Sequence, residues 1–419
     1  MTHRYRTLAT LTETVPEIPR SAYLHIPFCR RRCHYCDFAI LAIGDRRWGH
    51  DSPKINEYLH YLMAEIEQTP DGGYPLETIF FGGGTPSLLS VAQLESILNA
   101  IDRQFGLSTD CEISIEMDPG TFDLAKLRGF LTLGVNRISL GVQSFDDRLL
   151  QLCGRSHDRD DIDAAIALFD RANVDNFSLD LISGLPEQTE EQWQKTLETA
   201  IAIGPSHLSI YDLIIEPTTV FERHYQPGSA PLPSDDSAAH FYRLASEVLR
   251  RSDYDHYEIS NYARSGHQCR HNRVYWQNQP HYGWGMAAAS YLNGIRFTRP
   301  RTPNAYYQWL QAGGAIETPP TSPTEQFLET LMLGMRLAEG LSLETLTHHF
   351  GRPLLDRLGS CWYPYYQQGW IAIHTPNGQP WHSGEPLPSE GQICLSDPEG
   401  FLFSNTILAE MFSAIEAES

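Results

Sequence analysis

The stretch Tyr23-Leu-His-Ile-Pro-Phe-Cys29-Arg-Arg-Arg-Cys33-His-Tyr-Cys36-Asp-Phe38 decides how the rest of the chain is read. Ala22–Ile26 is a short β-rich run, and the cysteines follow it at once in a C-x3-C-x2-C spacing. Three thiolates so close together can wrap one compact cluster only if the loop is irregular and leaves the strand immediately. Three ligands to a four-iron, four-sulfur cluster leave one iron open. That iron can chelate the amino and carboxylate groups of S-adenosylmethionine, so that one-electron reduction of the sulfonium releases a 5′-deoxyadenosyl radical. Arg30, Arg31 and Arg32 place positive charge beside the thiolates, which favours their ionised form. The competing reading is a structural zinc completed by His25 or His34. Zinc sites more often pair two C-x2-C units, and no second pair follows, so the spacing favours the cluster.

Outward from this loop, β-rich runs alternate with helical patterns. The strands expected are Ala22–Ile26, Thr78–Phe81, Glu112–Glu116, Arg137–Val142, Phe177–Ile182 and His207–Leu213. Helical spacing occupies roughly 54–68, 91–105, 123–133, 160–173 and 190–203, and Ser90 with Gln93 reads as a capping box. Such alternation implies parallel strands whose C-terminal ends share one rim, where function should gather. The fold expected is α/β: a partly open, TIM-like (β/α)6 barrel whose gap admits a large substrate or is covered by later segments. A helix at about 237–251 follows the loop Pro227–Asp236, and composition breaks occur at Arg299–Pro303 and Thr318–Pro323. The organisation expected is a tail at 1–18, a core at 19–298 and a smaller, mainly helical domain at 299–419, opened by the apolar stripe Phe327, Leu328, Leu331, Met332 and Met335.

Composition excludes several classes. With 41% hydrophobic and 20% charged residues the chain has material for a sizeable core. Thirty-one basic against 52 acidic side chains give a net charge of −21, which repels nucleic-acid phosphates and argues against a tRNA-modifying role. No apolar run approaches the roughly 20 residues of a membrane span. The N-terminus has no apolar core of a secretory signal and carries Glu13 and Glu17, so the expected compartment is the cytoplasm. Of eight cysteines, Cys111, Cys153, Cys269, Cys361 and Cys394 are scattered, which reads as buried thiols and not as a disulfide framework. Gly283-Trp-Gly285-Met-Ala-Ala288 superficially fits a dinucleotide fingerprint, but it lacks the preceding strand of a βαβ unit, so that reading is rejected.

With these residues in place, the chain resembles the radical S-adenosylmethionine proteins, and within them the oxygen-independent coproporphyrinogen III oxidase-like family. Tyr23 matches the family tyrosine six residues before the first cysteine. Gly83, Gly84 and Thr85, in Phe80-Phe-Gly-Gly-Gly-Thr-Pro86, match the glycine run that approaches the methionyl amino group. Glu116 in SIEMDPG matches an acid that accepts a hydrogen bond from the cofactor. Gln143 in SLGVQSF, Arg155 in CGRSH and Asp180 in SLDLISGLP match further contacts to S-adenosylmethionine. Arg155 is the natural partner of the methionyl carboxylate, because a guanidinium bonds a carboxylate through two parallel hydrogen bonds.

The family holds both oxidases and haem chaperones. The oxidases carry a further cysteine two residues after the third ligand, where this chain has Phe38, and a longer arm than the 28 residues before Cys29. His271-Asn-Arg-Val-Tyr275-Trp276 matches the H-N-x-x-Y-W motif of the chaperone branch. His271 is the candidate ligand to haem iron, with Tyr275 and Trp276 against the porphyrin face and His267 or Cys269 as alternative ligands. The same side chains could simply pack a loop against the barrel mouth. The resemblance implies a haem chaperone that delivers haem to apo-haemoproteins, those of respiratory enzymes included, visiting the membrane only through its partners. The alternative is oxidative decarboxylation of porphyrinogen propionates.

Overall fold

The computed structural model describes residues 18–416, apart from 46–48, 50–51, 320, 377–380, 383–384 and 386. The tail expected at 1–18 therefore lies, Ile18 aside, outside the described residues. Six parallel strands form the frame: β1 (Ser21–Ile26), β2 (Leu76–Gly83), β3 (Leu107–Met117), β4 (Arg137–Gln143), β5 (Phe177–Ser183) and β6 (His207–Asp212). They pair in sequence order, each expected strand appearing within a few residues of its sequence position. The helices between them are α1 (Pro53–Gln68), α2 (Val91–Phe105), α3 (Leu124–Thr132), α4 (Arg159–Ala172) and α5 (Glu190–Ile203). The Ser90–Gln93 capping box is formed: the Gln93 amide donates to Ser90 Oγ at 3.2 Å and the Ser90 amide donates to Gln93 Oε1 at 2.8 Å. Thr189 and Gln192 start α5 in the same way.

Later segments extend this sheet at both edges. On the β6 side run the antiparallel strands β7 (Asp255–Glu258) and β8 (Asn261–Ala263), and β9 (Tyr282–Trp284) pairs in parallel with β1, giving the order β9-β1-β2-β3-β4-β5-β6-β8-β7. Gly283 thus lies inside a strand, which the sequence reading did not expect. The element after it is another strand, Ala289–Leu292, so no βαβ unit forms.

Period-two alternation sorts the strand residues into two environments. Leu24, Ile79, Phe81, Ile115, Leu140, Leu179 and Leu208 join one hydrophobic core with α1 to α5. The alternate positions fill the barrel interior with buried polar groups, among them Thr78, Glu112, Ser114, Arg137, Ser178 and His207. This interior is closed at the N-terminal end of the strands by α7 (Arg270–Trp276), which follows α6 (Asp235–Arg250) in the helix order. Glu112 accepts hydrogen bonds from the first amides of α7, Arg270 at 3.2 Å and His271 at 3.0 Å, an acid meeting a helix N-terminus.

The composition break at Arg299–Pro303 falls within this first unit. Arg299 Nε lies 2.7 Å from Glu65 of α1, both side chains being 5% exposed, and the same carboxylate accepts from Tyr306 Oη at 2.6 Å and the Gly285 amide at 2.8 Å. Helix α8 (Pro303–Gln311) contributes Tyr306 and Leu310 to the first core. A second core starts with Phe327 and Leu331 of the expected amphipathic helix and gathers Leu343, Trp362, Ile393 and Met411. The C-terminal unit is mainly helical, as expected, and Leu341–Ser342, Ile371–His374 and Gln392–Leu395 add a small three-stranded antiparallel sheet. It docks on the barrel through Arg243–Glu399 (2.6 Å) and His256–Asp397 (2.8 Å).

Candidate functional site

At the C-terminal rim a cavity of about 360 Å³ opens to solvent, and its walls include Cys29, Cys33, Cys36, Gly83, Gly84 and Thr85. Glu116, Gln143, Arg155 and Asp180 line the same cavity. Of the positions the sequence singled out for the cluster and for S-adenosylmethionine, only Tyr23 is not in the wall. It lies beneath the glycine run, its ring stacked on Phe80 at 6.3 Å.

The cysteine loop is an out-and-back lobe. Phe28–Cys29 pairs in parallel with Leu41–Ala42, and the Ile43 amide donates to Cys29 O at 2.9 Å. Arg32 staples the lobe from within, donating to the carbonyls of Cys36 (3.1 Å), Phe38 (3.0 Å) and Ile40 (3.2 Å). Arg32 thus shapes the loop and also sets positive charge beside Cys36, while Arg155, whose Nη1 lies 3.3 Å from Cys33 Sγ, adds charge at the middle thiol. The zinc alternative fits poorly. Both His25 ring nitrogens are engaged, by Tyr23 Oη (3.1 Å) and Ala39 O (2.9 Å), and His34 Nδ1 lies 2.8 Å from Leu152 O. Among the described residues no three His, Cys, Asp or Glu side chains converge on a single-ion site, whereas three half-buried thiols spread around one cavity suit a larger cluster.

Close backbone approach explains the glycines. Gly83 has φ +109°, and a Cβ there would sit 2.5 Å from the His25 ring. A Cβ on Gly84 would meet Phe28 O at 2.7 Å, where the strands of the lobe and barrel cross. The Gly83 amide donates to Glu116 Oε2 at 3.0 Å. Gln143 ends β4 in a left-handed conformation at φ +67°, the kind of local strain that persists where surrounding structure holds it.

The electrostatics run in two directions within the cavity. Burial, reinforced by Asp180, pushes the Glu116 carboxyl up to about 8, against the opposing Gly83 hydrogen bond. Asp180 is likewise raised by burial, although Ser139 Oγ donates to it at 2.8 Å. Burial would raise Asp118 too, but the Arg155 guanidinium and then His157 outweigh it and hold that carboxyl below the usual range. Asp118 and Tyr35 are wall residues that sequence reasoning missed, and both reach Arg155: Nη2 lies 2.6 Å from Asp118 Oδ1 and Nη1 3.3 Å from Tyr35 Oη. The signal for Asp118 was its place two residues after Glu116, within the same motif.

The second predicted site is placed elsewhere. His271 is fully buried, its Nδ1 2.7 Å from Thr78 Oγ1 and its Nε2 2.8 Å from Tyr275 Oη, so neither ring nitrogen is available to iron in this conformation. Burial drives its pKa down to about 3. Thr78 precedes Gly83 by five residues on one strand, about 16 Å, which puts the motif at the barrel base and not at its mouth. Cys269 is buried with its Sγ 3.7 Å from Glu112, and His267 Nδ1 lies 3.4 Å from Asn176. Trp276 sits under the Arg336 guanidinium at 5.6 Å. A second cavity, of about 500 Å³, lies beside α7, lined by Arg20, Thr78, Arg270, Arg273 and Val274.

Comparison with known proteins agrees with this layout. Residues 23–200 match the Radical SAM superfamily model and residues 321–375 the HemN C-terminal domain model. The heme chaperone HemW of Synechocystis sp. is 47% identical over 409 residues, which cover 96% of this chain and 98% of the relative. The heme chaperone HemW of Bacillus subtilis is 35% identical over 340 residues, covering 80% and 88%. The solved structure of coproporphyrinogen III oxidase (HemN) from Escherichia coli, a radical SAM enzyme, superposes with a TM-score of 0.76 at 22% identity, covering 96% of this chain and 91% of that one, and establishes the fold. Barrel, rim cavity and domain matches define a radical S-adenosylmethionine protein, a class whose cofactors are a four-iron, four-sulfur cluster and S-adenosylmethionine. The chain belongs to the heme chaperone HemW family. Among the described residues no helix is long and apolar enough to cross a membrane.

Proposed function

We propose that this protein is a cytoplasmic haem chaperone that binds haem and hands it to apo-haemoproteins, those of respiratory enzymes among them. The observation that carries the reading is 47% identity to a heme chaperone across 96% of the chain. Cys29, Cys33 and Cys36 would hold the cluster, and the bound cluster supplies a single electron to S-adenosylmethionine. The chain's own residues prepare that site. The Gly83–Gly84 backbone would line the methionyl moiety, Glu116 and Asp180 would face its cationic groups, and Arg155, fixed by Asp118, would face its carboxylate. Phe38 at the cavity lip, where the oxidases have a cysteine, disfavours porphyrinogen decarboxylation.

The reading is tested by loading anaerobically reconstituted protein with haem, removing free haem by gel filtration, and adding a respiratory apo-cytochrome. Transfer of the Soret band to the acceptor is expected. Protein that retains no haem would overturn the reading, and turnover of coproporphyrinogen III would replace it with the oxidase.

A further inference from the structure

We infer that a hydrogen-bonded line through the barrel interior, Asp180–Ser178–His207–Tyr257–Cys269, couples the rim cavity to α7, so that bound S-adenosylmethionine tightens the N-terminus of that helix. This rests on Asp180 facing a cationic group of S-adenosylmethionine, and takes nothing from the haem-carrier reading.

Strand alternation builds the line. Ser178 and Asp180 of β5 and His207 and Ser209 of β6 all face the interior, and the register sets Ser178 beside His207 and Asp180 beside Ser209. Ser178 Oγ donates to Asp180 Oδ1 at 3.3 Å, and Ser209, whose Oγ is 3.3 Å from that of Ser178, bonds the same carboxylate. His207 Nδ1 lies 2.9 Å from Ser178 Oγ, and its Nε2 lies 2.9 Å from Tyr257 Oη of β7. The Cys269 amide donates to Tyr257 Oη at 3.3 Å, and Cys269 is the N-cap of α7. That amide is one of the first four of the helix, which no carbonyl within it can satisfy; Glu112 takes the next two. Ser178, His207, Tyr257 and Cys269 are all buried, where a low dielectric strengthens each bond.

With Asp180 ionised, the bonds run in one sense only. A carboxylate accepts, so Ser178 donates towards it and must accept from His207. Burial, with Arg137 and His267 adding to it, holds His207 well below its usual range and keeps the ring neutral, with a single N–H. That proton therefore sits on Nδ1, and Nε2 accepts from Tyr257, whose oxygen accepts from the Cys269 amide. Every donor points towards Asp180. Bonds aligned in this way polarise one another, so a stronger acceptor at one end strengthens the rest. Burial raises Asp180, and a cation beside it favours the carboxylate, which is that stronger acceptor. The ring column Tyr23–Phe80–His271, at 6.3 and 5.3 Å between centroids, also joins rim to base, but through ring faces that set no such direction.

The test is amide hydrogen exchange of α7 in anaerobically reconstituted protein, with and without S-adenosylmethionine, beside equilibrium dialysis of the same samples. In wild type the ligand should slow exchange in the segment 266–277 about fivefold. Ser178→Ala keeps the Cys269–Tyr257–His207 bonds and the Ser139 contacts to Asp180 at 2.8 and 2.9 Å, while Tyr257→Phe removes the hydroxyl nearer α7. Each should abolish the slowing. Linkage is reciprocal, so the Kd for S-adenosylmethionine should rise by the same factor in both. Either variant suffices if the other does not fold. Exchange in wild-type α7 that ignores bound S-adenosylmethionine overturns the inference and leaves Asp180 in its site. Slowing that persists in full in the folded variants overturns it in favour of the ring column. Wild type that binds no S-adenosylmethionine overturns the inference and the Asp180 assignment together.

Discussion

Arg155 Nη2 lies 2.6 Å from Asp118 Oδ1, and the same guanidinium reaches Cys33 Sγ at 3.3 Å, so one side chain, 7% exposed, ties the cysteine lobe to the end of β3. Arg155→Lys keeps the charge but cannot span both contacts. S-adenosylmethionine affinity should fall about tenfold or more in Arg155→Lys and in Asp118→Asn, because each breaks the buried pair that presets the guanidinium. Equilibrium dialysis under anaerobic conditions decides this; unchanged binding in both would remove Arg155 from the site.

Cys33 occupies the middle of a lobe whose other two thiols line the same cavity. Cys33→Ala should lose the brown iron–sulfur absorbance and most of its bound iron. A variant that keeps four irons per chain would sink the ligand assignment.

Glu116 carries a pH signature. With its carboxyl pushed up to about 8 by burial and by Asp180, and Asp118 adding to the repulsion, it is mostly protonated at pH 7. A cationic ligand beside it favours the carboxylate, so binding at pH 7 expels a proton. S-adenosylmethionine affinity should therefore rise as pH climbs from 6.5 to 8, by up to about tenfold per unit, and level off above. In Glu116→Gln the slope should vanish; calorimetry in buffers of different ionisation heat counts the proton.

His271 should matter to stability in a pH-dependent way. Its pKa is about 3 in the folded protein, where burial keeps the ring neutral, against an ordinary 6.5. Its contribution is fully present above 6.5 and is lost as pH falls towards 3. His271→Gln should be less stable than wild type at pH 7.5 by about 1–3 kcal/mol, since Thr78 and Tyr275 lose a buried partner. That gap should narrow by roughly 2 kcal/mol on going to pH 5. Denaturant melts at the two pH values measure it, and a gap that widens would refute the neutral, buried histidine.

Glu65 gathers Arg299, Tyr306 and the Gly285 amide in the interior. Glu65→Ala leaves a buried guanidinium without its partner and should cost about 3–5 kcal/mol, seen as a lowered midpoint in urea. A change below 1 kcal/mol would show that solvent reaches Arg299.

Much of this arrangement was legible in the chain, and for identifiable reasons. The barrel strands announce themselves because helices of 9 to 16 residues separate short β-rich runs. The glycine run, Glu116 and Gln143 fall at strand ends where parallel strands share a rim, and Asp180, midway along β5, faces the same interior, so their convergence on one cavity follows from topology. The edge strands β7 to β9 are only three or four residues long and owe their state to neighbours, which no local pattern records. The break at Arg299–Pro303 read as a boundary because Pro300 and Pro303 are loop signals; what keeps Arg299 with the barrel is Glu65, 234 positions away. His271 illustrates the limit of a motif: its residue types suit haem, but only the fold shows both ring nitrogens already taken.

Helix α7 floors the barrel with Glu112 as its fastening. The rim cavity stands at the opposite end of the same strands, with buried side chains such as Ser114, Arg137 and Ser178 stacked between the two. A molecule held at the rim therefore meets its surroundings on that side of the barrel, with a packed polar interior at its back.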